Sequence, residues 1–194
     1  NRPKCRLPLC SAMTESANHA PARLLIVPGL RDSGPAHWQT WLQGLHRSAV
    51  RVQQRDWATP DLDRWAARIA GVIERNGRGP WLVAAHSFGA LAAARALALQ
   101  PDLPMAALLL VAPADPDKWG MGELLPQGRL QIPSTLVASE TDPWLRLAKA
   151  RHWAQRWGSH LVNLGDAGHI NAEAGFGRRA HDPRHALDVG AEER

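Results

Sequence analysis

Short apolar runs that break off at small or turn-forming residues recur along the middle of the chain. Longer stretches with helical spacing lie between them. Leu24-Leu25-Ile26-Val27 stops at Pro28-Gly29, and Trp81–Ala85, Ala106–Val111, Leu136–Ser139 and His160–Leu164 repeat the pattern, with Val50–Gln53 as a weaker member. A continuous apolar run without alternation marks a strand buried on both faces, as in a parallel sheet. Between Asp61 and Glu74, the residues Leu62, Trp65, Ala66, Ile69 and Ile73 share one helical face, and Asp61 after Pro60 suits an N-cap. Ala36–Leu45, Ala90–Leu99 and Trp144–Trp157 complete the predicted helices. Right-handed crossovers between parallel strands put helices on both faces of the sheet. The expected fold is therefore α/β, a three-layer sandwich around a mostly parallel sheet of about six strands, with reactive groups at the carboxyl ends of the strands.

Composition narrows the function classes. The chain has 194 residues, a length for one domain, and no apolar run long enough to span a bilayer. Cys5 and Cys10 both lie near the N-terminus, which leaves neither a disulfide framework nor a Cys-rich zinc site. Such a fold stands on packing, as a reduced cytoplasmic protein does. The net charge is +5, but Arg2, Lys4 and Arg6 supply much of it. The remaining cations are interspersed with acids rather than gathered on a stripe, which argues against nucleic acid as a partner. Residues 1–20 are expected to be a disordered or artefactual tail, because the sequence opens on Asn1 and Met13 suits a start. Residues 21–177 form the expected domain, and 178–194 an atypical polar C-terminal tail.

The sharpest local signal is Ala85-His86-Ser87-Phe88-Gly89, which directly follows an apolar strand and directly precedes a helix. That context suits a nucleophile elbow, a tight turn that needs small residues two positions to either side of the nucleophile. Gly89 meets this need, and Ala85 replaces the more usual glycine. A serine hydroxyl needs a base within hydrogen-bond reach, and the base needs an orienting acid. In this architecture the chain order is Ser, acid, His. His169 in Gly168-His169-Ile170-Asn171 follows the last strand, and Asp142 follows the fifth. Asp166, Asp115 and Asp117 compete with Asp142 for the orienting role. Asp142 before Pro143 also suits a helix N-cap. His86 reads as packing or hydrogen-bonding support beside the serine, and His152 and His160 as structural. The expected oxyanion donors are the backbone N–H groups of Phe88 and Leu30, with Gly29 giving the loop its freedom. Gly29, His37, Trp38 and Trp144 are placed to meet substrate, and Phe88 and Trp119 are further candidate walls. No His-Glu-x-x-His, Gly-x-Gly-x-x-Gly after a strand, or Gly-Lys-Ser/Thr is present, so no metal or nucleotide cofactor is expected.

Taken together, Ile26-Val27-Pro28-Gly29 through Ser33-Gly34, His37-Trp38-Gln39, His86-Ser87-Phe88-Gly89, Asp142-Pro143 and Gly168-His169-Ile170-Asn171 resemble the small serine hydrolases of the alpha/beta-hydrolase fold. Within that fold the chain resembles the branch of the retinoblastoma-binding serine hydrolase and the bacterial YdeN-like proteins. The resemblance runs from about Leu24 to Gly177. It implies that Ser87, Asp142 and His169 form a catalytic triad, that the activity is hydrolysis of carboxylic esters or related acyl bonds, and that no cofactor takes part. Members of this family tend to end in an apolar helix after the histidine loop, and Arg178–Arg194 departs from that pattern. Ala112–Pro133 is too short for a cap domain, so a small-molecule acyl substrate in a shallow site is expected. The competing expectation is a catalytically weak protein-interaction module on the same fold.

Overall fold

The computed structural model describes residues 21–77 and 79–177. The tails expected at 1–20 and 178–194 lie outside the described residues. Strands β1 (Arg23–Val27), β2 (Val50–Arg51), β3 (Trp81–His86), β4 (Met105–Val111), β5 (Ser134–Ala138) and β6 (His160–Asn163) form one six-stranded sheet in the order β2-β1-β3-β4-β5-β6. Every pairing is parallel. Helices α1 (Trp38–Leu45), α2 (Leu62–Arg75), α3 (Phe88–Leu99) and α4 (Leu147–Trp157) alternate with them. The register sets Val27 against Ala85 and His86 against Val111, so the ends of β1, β3 and β4 lie side by side.

The pleat divides the strand residues between two layers. Leu25, Val27, Val83, Ala85, Leu108, Leu110 and Leu136 pack with the buried faces of α2, α3 and α4, around the fully buried Trp65 and Trp157. Leu109, Val111 and Val137 point the other way, toward Trp38 of α1 and toward Ala167, Ile170 and Phe176 of the segment after β6. Each fully buried Leu or Ile contributes roughly 1.5–3 kcal/mol of transfer free energy. α3 is buried nearly all round because it runs between the sheet and α2, which explains its Ala-rich sequence.

Local chemistry explains the boundaries. The Asp61 side chain accepts from Arg64 N at 3.0 Å and starts α2. Gly158, at φ 66°, closes α4 in the left-handed conformation. α4 begins at Leu147, later than the predicted Trp144. Asp142 Oδ1 accepts from Trp144 N at 2.8 Å, a local turn that keeps 142–146 out of the helix. Asp142 is therefore not the helix N-cap. That position belongs to Arg146, whose side chain makes no capping bond. Between β4 and β5 the chain makes only two short 3-10 turns, Pro116–Trp119 and Gly122–Leu124, so among the described residues no cap domain stands over the strand ends.

Candidate active site

Ser87 sits between β3 and α3 at φ 54° and ψ −126°, a conformation that L-residues rarely adopt. Its N–H donates to Val111 O at 3.0 Å, which holds the strained turn against β4. Ser87 occupies the N-cap position of α3, but its hydroxyl makes no capping bond. The hydroxyl instead lies 2.9 Å from His169 Nε2. His169 Nδ1 lies 3.0 Å from each carboxylate oxygen of Asp142. A carboxylate only accepts, so Nδ1 carries the proton and Nε2 is left to accept from the serine hydroxyl. The Asp142 carboxylate is almost wholly buried, at 2% exposure, and so acts on His169 with little screening by water.

The turn tolerates little else. A Cβ on Gly89 would lie 2.3 Å from Pro28 O, and one on Gly29 would lie 2.7 Å from Ser87 Cβ. Gly29 thus acts sterically, letting the loop after β1 approach the serine. The N–H groups of Leu30 and Phe88 have no hydrogen-bond partner among the described residues. The neighbouring Arg31 N donates to Trp57 O at 2.9 Å.

The loops that carry these groups are tied to one another. His86 Nε2 donates to the backbone carbonyl of His169 at 2.9 Å, joining the elbow to the histidine loop. Ser139 Oγ donates to Gly165 O and accepts from Ala167 N, both at 3.0 Å. Thr141 Oγ1 donates to Asp166 at 2.7 Å and accepts from Gly168 N at 3.0 Å. The acid loop is thereby clasped to the histidine loop. These bonds also account for the competing acids. Asp166 is engaged by Thr141, while Asp115 and Asp117 both bind Lys149 at 2.7 Å. The hydrogen bonds that Lys149 donates to Asp115 and then Asp117 raise its pKa.

A cavity of about 430 Å³ opens over Ser87 and His169. Its walls include Leu30, His37, Ala114, Trp119 and Trp144. Lys118 Nζ rests 4.3 Å over the Trp144 ring at the rim. Phe88 and Trp38, expected as walls, do not line it, and neither does Gly29, which was expected to meet substrate. Phe88 is fully buried edge-on to Trp65 and Trp119, and Trp38 packs beneath the site on the second face of the sheet. His37 is 5% exposed and caps α1, its Nδ1 accepting from Gln39 N at 3.2 Å. Burial, helped by the Arg51 guanidinium and His169, pushes the His37 pKa down to about 4. Burial, then His169 and His37, hold His86 well below the usual histidine range. His152 lies on α4 and His160 opens β6, both away from the cavity. Gln39, Ser139 and Thr141 were not singled out from the sequence as site residues. Their only signal was position beside the serine, acid and histidine motifs. Among the described residues no cluster of His, Cys, Asp or Glu could hold a metal, and no helix is long and apolar enough to cross a membrane.

Known proteins are similar to this chain in fold and in sequence. A crystal structure of a YdeN-like hydrolase from Pectobacterium atrosepticum is 40% identical, with a TM-score of 0.76 over 80% of this chain and 83% of that one. The ydeN gene product of Bacillus subtilis is 18% identical and shares the fold, with a TM-score of 0.66 over 88% of this chain and 98% of that one. Lipase LipV of Mycobacterium tuberculosis is 33% identical over 108 residues, or 48% of this chain, and the chain spans only 38% of that lipase's length. The family model for serine hydrolases matches residues 24–183, so the chain belongs to the serine hydrolase family, as a small alpha/beta hydrolase of the YdeN-like type.

Proposed function

We propose that the chain cleaves small carboxylic esters or related acyl bonds through an acyl-enzyme on Ser87, with His169 as base and Asp142 as orienting acid. What carries this reading is the continuous contact from Ser87 Oγ to His169 Nε2 at 2.9 Å and from His169 Nδ1 to Asp142 at 3.0 Å. The serine oxygen attacks the acyl carbon while its proton passes to His169 Nε2. Asp142 holds the Nδ1–H and balances the imidazolium charge. The carbonyl oxygen becomes an oxyanion facing the N–H groups of Leu30 and Phe88, each worth roughly 3–4 kcal/mol in such a site. Collapse of the tetrahedral intermediate breaks the bond to the alcohol, which leaves with the proton from His169. Water then repeats the cycle on the acyl-enzyme, releasing the acid and restoring Ser87.

The substrate class follows from the walls. A space of about 430 Å³ between Leu30, Ala114, Trp119 and Trp144 suits a short acyl group, and the segment between β4 and β5 forms no cap to enclose a long chain. The test is initial rates on p-nitrophenyl acetate and on a long-chain p-nitrophenyl ester. The short ester is expected to turn over faster, and Ser87→Ala and His169→Gln to lower kcat by about 10⁴-fold or more. Faster turnover of the long ester contradicts the substrate class. Undiminished turnover by Ser87→Ala contradicts the mechanism. A folded wild type with no turnover favours the interaction module.

A further inference from the structure

Gln39 is fully buried behind the site, and its amide bonds to two backbone carbonyls and one serine hydroxyl, each on a different segment. Nε2 donates to Val27 O at 3.0 Å and to Ala84 O at 2.9 Å, while Oε1 accepts from Ser33 Oγ at 2.6 Å. The two backbone carbonyls can only accept, so the amide has a single orientation. Val27 ends β1, and Ala84 lies near the end of the adjacent β3. From the first point the chain enters the loop bearing Leu30, and from the second the elbow bearing Ser87 and Phe88. Ser33 closes the far side of the Leu30 loop. That loop is braced again by Thr40 Oγ1, bonded to Ser33 O at 3.0 Å and Gly34 O at 2.9 Å, and by the Arg51–Asp32 pair at 2.6 Å.

We infer that Gln39 is a positioning residue that sets the gap between the Leu30 and Phe88 N–H groups, and so tunes stabilisation of the oxyanion without touching substrate. This rests on the proposed roles of Ser87, Leu30 and Phe88. One side chain fixes both strand ends and the loop between them. Its removal frees the Leu30 loop to shift against the elbow, so the two donors move apart while the Ser87–His169 contact stays in place. Such a change weakens binding of the tetrahedral oxyanion more than binding of the planar ester.

Gln39→Met keeps the volume and removes all three bonds. Its kcat on p-nitrophenyl acetate is expected to fall roughly 10- to 100-fold with KM within about twofold of wild type. Affinity for a boronic acid analogue of the tetrahedral state should fall by the same factor as kcat/KM. Should Gln39→Met fail to fold, Ser33→Ala decides, since it removes one bond from the loop side. The same kcat-borne loss is expected there, at roughly 3- to 10-fold. A folded variant with kcat/KM within twofold of wild type, or with its loss entirely in KM, overturns the inference while wild type remains reactive. A wild type that neither hydrolyses the ester nor binds the boronate overturns the reading of Ser87 itself, and the role of Gln39 with it.

Discussion

At the scale of single residues, the site is built from positions where only one side chain fits. Ser87 holds φ 54° because Gly29 and Gly89 leave room beside it. An added methyl at Gly89 would meet the Pro28 carbonyl at 2.3 Å, a clash with backbone that no rotamer relieves. Gly89→Ala is expected to cost about 2–4 kcal/mol of stability, read as a lower midpoint in urea, whereas Gly34→Ala, with open space around it, should cost far less. An equal midpoint for both variants contradicts this steric account. His86 shows a different dependence. Its Nε2–H bond to the His169 carbonyl predicts that His86→Ala lowers kcat by about 10-fold and that His86→Gln, which keeps a donor, recovers part of it. Equal activity of the two variants contradicts that role. That Ser87, Asp142 and His169 come together was legible in the sequence, because each follows a strand in the order the fold imposes. Gln39 was not legible as a structural tie. A glutamine near the start of an amphipathic helix reads as a surface residue, and nothing local says that it faces two carbonyl groups.

At the scale of elements, apolar runs announced the strands and 3.6-residue spacing announced the helices, with ends off by a few residues. The largest shift, at the start of α4, has a chemical cause. Asp142 caps Trp144 N in a turn and faces His169, so residues that look helical by pattern serve the acid loop instead. Helical spacing cannot reveal such a competition. Trp38 and Phe88 were misplaced as walls for a related reason. Adjacency in sequence to a site does not say which face of the sheet a ring covers. The clasp between the acid and histidine loops yields a prediction at this scale. Ser139, 1% exposed, bonds Gly165 O, Ala167 N and Thr141 N. Ser139→Ala leaves the buried Ala167 N–H unmet and cuts the tie to Gly165 O, and is expected to lower stability by about 1–3 kcal/mol and kcat together, since Asp142 and His169 lose their common support. Differential scanning calorimetry with parallel kinetics checks it, and an unchanged Tm contradicts it.

At the scale of the whole molecule, the sheet gathers the end of every central strand at one edge, and the buried imidazoles there make its stability depend on pH. His37, with a pKa of about 4, and His86, held lower than usual by burial, stay neutral in the folded chain at neutral pH. In the unfolded chain both titrate near the ordinary value of about 6.5. Between about pH 6.5 and 4 the unfolded state binds protons that His37 refuses when folded. Stability is therefore complete above that window and falls as pH drops through it, by up to about 3 kcal/mol for His37. The Tm is expected to decline from pH 7 to pH 4.5, and less steeply in His37→Gln. A level Tm contradicts neutral burial. The central claim is that the shared edge turns Ser87 into a nucleophile through His169 and Asp142. Its most direct measurement is mass-spectrometric mapping of the protein after brief exposure to a fluorophosphonate. The account predicts one covalent adduct on Ser87, formed far more slowly in His169→Gln and Asp142→Asn, and absent from Ser87→Ala. A folded wild type that stays unmodified, or an adduct that persists in Ser87→Ala, would contradict it.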